Sequence, residues 1–109
     1  MAETVKVLGQ VDVAASTQTT LYTVPGATQC TVSTLHVCNR NASTVHFRAR
    51  INVAGAADDN KQFLYFDTEL SKNESFSATL GLTLGAADVV KVQADSTGVC
   101  FSLFGAEFA

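Results

Sequence analysis

Alternation of apolar and polar residues recurs along almost the whole chain, and no other feature limits its fold so tightly. Between Val45 and Val53 the odd positions hold Val45, Phe47, Ala49, Ile51 and Val53, while the even positions hold His46, Arg48, Arg50 and Asn52. A period of two sends successive side chains to opposite faces of a pleated strand, whereas a helix needs apolar residues at every third or fourth place. The same period puts Val5, Val7, Gly9, Val11 and Val13 on one face of an opening strand. It returns in Phe76, Ala78, Leu80, Leu82 and Leu84, in Val90, Val92 and Ala94, and in Val99, Phe101 and Leu103. In residues 29–39 the apolar parity changes from Cys30 and Val32 to Leu35 and Val37. A β-bulge near Ser33–Thr34 would do this, because one extra residue turns the later side chains over.

Turn-forming clusters separate these runs at intervals of about 8–12 residues, the spacing of a sandwich or barrel. Pro25 and Gly26 read as a type II turn, with Gly26 at the corner that needs positive φ. The stretch 54–61 is a loop with at most one helical turn. The pattern predicts an all-β protein, a single β-sandwich of about eight antiparallel strands, jelly-roll-like in its strand number. Residues 1–109 make one domain, with 1–18 as an N-terminal arm or edge strand. At 109 residues the folded surface should be about 5,800 Å², which leaves room for a modest core without a metal or disulfide.

Composition narrows the partners. The formal charge of −3 lacks the basic footprint that phosphate neutralisation requires, so nucleic acid is not expected. No apolar run reaches the length of a membrane helix, and no membrane partner is expected. The opening MAETVKVLGQ has no basic segment followed by an apolar one, so no signal peptide is read there. Cys30 and Cys38 would lie about 26 Å apart on one extended strand, and Cys100 could meet at most one of them. Three reduced thiols acting as small buried hydrophobes are expected.

Chemistry-bearing motifs are missing. No GxSxG, HExxH or phosphate-cradling loop occurs, and no Cys/His spacing matches zinc. His36 and Cys38, two apart on a strand, share a face without being set as base and nucleophile. Asp58-Asp59-Asn60-Lys61 lacks the spaced oxygen ligands of a calcium loop. Asn41 and Asn73 begin glycosylation sequons that read as chance matches in turns. The expectation is no enzyme, no cofactor and no metal.

What stands out is a ladder of His46, Arg48 and Arg50, which holds two of the three arginines of the chain. It is either a solvated sheet face paired with Asp67, Glu69 or Glu107, or a contact surface, since the planar Arg fork engages partner carboxylates and carbonyls. The last strand is apolar on both parities, with Phe104, Ala106 and Phe108 opposite Phe101 in phase. Phe104 and Phe108 therefore join His46, Arg48 and Arg50 as interface candidates.

The segments TTLYTVPGATQCTVSTLHVCNRNASTVHFRARI, LYFDTELSKNESFSATLGLTLGAADVVKV and FSLFGAEF together resemble small virion proteins of tailed bacteriophages. The likeness covers about residues 19 to 108. It implies a head decoration (cement) protein, made in the host bacterial cytoplasm and carried on the outer capsid surface of the virion. Such a subunit would stabilise the head by binding between subunits of the major capsid protein as a homo-oligomer, commonly a trimer. The alternative it implies is a tail or fibre module that binds a host-surface glycan or protein. The resemblance brings no catalytic residues.

Overall fold

The structure, a computed structural model, describes residues 3–109. Eight strands follow one another: β1 (Glu3–Val13), β2 (Thr19–Thr23), β3 (Gln29–Asn39), β4 (Val45–Asn52), β5 (Phe63–Leu70), β6 (Ser75–Leu84), β7 (Val89–Ala94) and β8 (Val99–Phe108). The only helical pieces among the described residues are two 3₁₀ turns, Val53–Gly55 and Asn60–Gln62. Side chains rich in Val, Thr and Phe fit a pleated, half-buried surface, and each run stops where small or turn-forming residues take over.

The strands form two antiparallel four-stranded sheets, in the orders β1-β8-β3-β6 and β2-β7-β4-β5. First pairs with last, second with seventh, third with sixth and fourth with fifth. That is the winding of a jelly roll: a long doubled ribbon wrapped so that its two halves become facing sheets. The core lies between them, with Phe47, Phe101, Val32, Val37 and Val99 fully buried. Phe47 from one sheet meets Phe101 and Phe76 from the other, with ring centroids 6.1 and 5.6 Å apart. The accessible surface is 5588 Å², near the value expected for this mass.

The shift of parity in β3 falls where the sequence places it, between Val32 and Thr34. Three other expectations change. Val5 and Val7 do not face the core: the β1–β8 register shifts between Val7 and Gly9, so Leu8 turns inward and Val5 and Val7 turn out, 77% and 48% exposed. A Cβ at Gly9 would run into the carbonyl oxygen of Leu21, so glycine lets β1 close on β2. Val53 is exposed as well, because β4 ends at Asn52 and the chain turns into a 3₁₀ segment there. In the Pro25 turn the left-handed residue is Ala27 (φ 54°), not Gly26. Val24 is tied by backbone hydrogen bonds to both Ala87 and Asp88, and the turn is centred on Gly26 and Ala27, one residue later than Pro25 and Gly26.

Candidate functional site

The five interface candidates separate onto opposite sides of the sandwich. Phe104 and Phe108 lie on the outer face of the β1-β8-β3-β6 sheet, and His46, Arg48 and Arg50 on the outer face of the other.

On the first side, Val7 stands opposite Phe104, Val5 opposite Ala106 and Glu3 opposite Phe108. With Thr31 and Ser33 of β3 they line an open groove of about 430 Å³. Residues that face each other across an antiparallel pair share one side, so two short alternating runs yield one continuous apolar strip. Just behind it a polar cluster sits where the sheets part. Tyr22 Oη donates to Glu107 Oε2 at 2.5 Å, and Lys6 Nζ lies 3.2 Å from Glu107 Oε1. The Tyr22 hydrogen bond and then Lys6 hold the Glu107 carboxyl below its usual range, while burial and the same carboxylate push the Tyr22 phenol up. Glu107 is thus occupied by Tyr22 of the facing sheet and Lys6 of the neighbouring strand, and is not the arginine partner considered from the sequence.

On the second side the arginines do face outward, as the pleat requires. Arg48 Nε donates to Asp67 Oδ1 at 2.6 Å, and its second nitrogen reaches Oδ2 at 3.2 Å. This fork raises the pKa of Arg48 and lowers that of Asp67. The partner is delivered by a bulge: Phe47 pairs with Thr68 and Ala49 with Tyr65, so Phe66 and Asp67 oppose Arg48 alone. Asp67 takes a left-handed conformation (φ 49°), and Phe66 is thrown outward at 56% exposure. The Arg48 guanidinium lies 4.2 Å from the centroid of the Phe66 ring. A second irregularity ejects Leu64, which is 39% exposed.

Arg50 differs from Arg48. Its side chain is only 11% exposed, lies over the Phe63 ring at 4.2 Å, and donates to Gln62 Oε1 at 3.2 Å. Lys91 is directly opposite it on β7, and Asp58 Oδ1 lies 3.4 Å from both cations. Hydrogen bonds from Asn52 and Gln18, followed by these cations, pull the Asp58 carboxyl down to about 2. The 53–62 loop thereby covers Asn52, whose Nδ2 donates to Ala56 O and Asp58 Oδ1. His46 Nδ1 sits 3.0 Å from Asp95 Oδ2, with Glu69 3.8 Å from its other nitrogen.

The period of two puts Val5 and Val7 on one face with Gly9, Val11 and Val13, and by itself it does not mark Leu64 and Phe66 as surface residues. A signal for both existed. Val7-Leu8 before Gly9, and the unbroken run Phe63-Leu64-Tyr65-Phe66, are apolar on both parities. A lone glycine or a doubled apolar parity within a strand marks a bulge.

Eight strands in these two orders define a jelly-roll β-sandwich. The chain is similar in fold to a chain in the structure of the Gx strain of infectious bursal disease virus, with a TM-score of 0.53 at 11% sequence identity over 97% of this chain and 30% of that one. At that identity the likeness shows the fold alone, and this chain spans less than a third of the length of that one. No protein-family model and no curated protein matches the sequence.

Proposed function

We propose that the chain is a virion structural protein, and within that class a head decoration subunit. It would bind an assembled capsid from outside, as a homo-oligomer with trimer the favoured number, between subunits of the major capsid protein. The observation that carries this reading is the apolar groove formed by exposed Val5 and Val7 with partly exposed Phe104, Ala106 and Phe108 on the outer sheet face. Exposed apolar strips of this kind on small soluble domains mark contact surfaces. Three supports stand beside it: the sequence resemblance to small tailed-phage virion proteins, the jelly-roll winding that recurs in viral capsid domains, and the likeness in fold to a chain of a virus structure. The role is one of burial and register and asks for no catalysis.

The second reading, a tail or fibre module holding a host-surface glycan or protein, is favoured by one feature: Phe66 projects beside Arg48 from a bulge held by a left-handed Asp67. Aromatic rings of this exposure can carry a sugar face. Sedimentation of the purified protein with capsids that lack it, alongside a glycan array, separates the two. The double variant Val5→Ser, Phe104→Ser is expected to lose capsid binding and oligomer mass while keeping its melting temperature. Full coating by that variant would remove the groove from the interface.

A further inference from the structure

Cys38 and Cys100 are direct cross-strand partners in the β3–β8 ladder. Both side chains are partly exposed. They belong to the outward parity, since their neighbours Val37, Phe101, Asn39 and Val99 are all buried. Those neighbours are also paired with each other, Val37 with Phe101 and Asn39 with Val99, so the ladder is regular on both sides of the cysteines. Residues directly opposite in an antiparallel pair have Cα atoms about 4.5 or 5.5 Å apart, and a disulfide spans about 4.4–6.8 Å. We propose that Cys38 and Cys100 form a redox-closable staple across the outer face of the sheet, a modification site for low-molecular-weight disulfides of the glutathione type.

The third thiol is excluded by place. Cys30 is fully buried, shares β3 with Cys38 and points into the sandwich beside Tyr22. The surroundings of the pair are polar and open. Arg40 Nε donates to Cys100 Sγ at 3.2 Å, while its terminal nitrogen holds Asp12 at 2.8 Å. A cation beside the sulfur favours the approach of an anionic disulfide such as oxidised glutathione. Ser75 flanks Cys38 on the far side, and His36, two residues back on the same face, bonds Ser77.

The exchange balances without a further reagent. One cysteine thiolate attacks a sulfur of glutathione disulfide, forms a mixed disulfide and releases one glutathione. The second cysteine then attacks the protein sulfur of that mixed disulfide and releases the other. The two thiol protons end on two glutathione molecules, and the two electrons that reduce glutathione disulfide come from the Cys38–Cys100 pair. Of the three thiols expected as small buried hydrophobes, only Cys30 is buried, and Cys38 and Cys100 are partly exposed. In an oxidising medium the staple closes. It ties β8 to β3 and constrains the long stretch of chain between them in the unfolded state.

The test is oxidation of the purified full chain with glutathione disulfide, followed by alkylation under denaturing conditions and mass analysis. The expected result is a mass lower by two hydrogens, one alkylated thiol at Cys30, a linked peptide joining Cys38 to Cys100, and a melting temperature raised by about 10 °C that dithiothreitol reverses. Cys38→Ser should instead keep a stable glutathione adduct at Cys100 with no such rise. Three alkylated thiols, a bond involving Cys30, or persistent adducts on both outer cysteines of the parent chain would overturn the proposal.

Discussion

Arg48 and Arg50 start from the same face of one strand and end in different surroundings. Arg48 is 34% exposed and its pair with Asp67 is screened by water, so Arg48→Ala should leave the melting temperature nearly unchanged. Arg50 lies under the 53–62 loop, and its loss removes a ring contact and one of two donors to Gln62 Oε1, the Asp59 N–H remaining. Arg50→Ala should therefore cost about 2 kcal/mol in a urea titration. Equal effects of the two would mean that the loop does not shield Arg50. Asp58 carries a pH signature of the same loop. Its carboxyl is lowered to about 2 in the folded chain, so the stabilisation it gives is present above its unfolded value of about 4 and is lost as pH falls toward 2. The melting temperature of the parent chain should drop across that window relative to Asp58→Asn, which has no such group to titrate. Parallel curves for the two proteins would refute the assignment.

At the scale of the element, bulges decide which apolar residues are covered. β1 carries one extra residue at Leu8, and β5, an edge strand, carries irregularities at Leu64 and at Phe66–Asp67. A bulge on an edge strand disrupts the free ladder that would otherwise invite another strand, and it re-aims the side chains next to it. In β1 the bulge depends on close approach to β2 at Gly9, where a Cβ would meet the Leu21 carbonyl. Gly9→Ala should cost about 2 kcal/mol, read by thermal or urea unfolding, because backbone rather than a flexible side chain must yield. A silent substitution would show that β1 is held loosely there. Position in the sheet also bears on β8. It lies between β1 and β3, so shortening the chain from Phe104 onward would strip pairing from both neighbours, and substitutions on the outer parity are the informative probes of contact.

Across the whole molecule, the first strand pairs with the last, and the sandwich closes only when distant segments meet. Its centre is Phe47, fully buried, with Tyr65, Phe76 and Phe101 within 6.1 Å by ring centroid. Phe47→Ala should cost about 3–5 kcal/mol, a large part of the stability of a domain this size, and should give a chain unfolded or nearly so by circular dichroism at moderate temperature. A cooperative melt close to that of the parent would contradict the central place of this ring. The outer faces carry separate surfaces, the apolar groove on one side and the Arg48–Phe66 bulge on the other.

Strand positions, the places of the turns and the β3 bulge were legible in the sequence because each is a local matter: a pleat alternates every residue, and turn-forming residues cluster where strands stop. The φ pattern within a turn was not, as Ala27 rather than Gly26 takes the left-handed place. The outward direction of Arg48 and Arg50 followed from the same rule once Phe47 was placed inside. What covers a face was not legible, because it depends on residues far apart in the chain. Val5 and Val7 are exposed and Leu8 is buried only because β1 meets β8 with one residue to spare. Cys38 and Cys100 stand opposite each other only because β8 is laid beside β3. Alternation sets which side chains share a face, and only the winding of the ribbon decides what that face is pressed against.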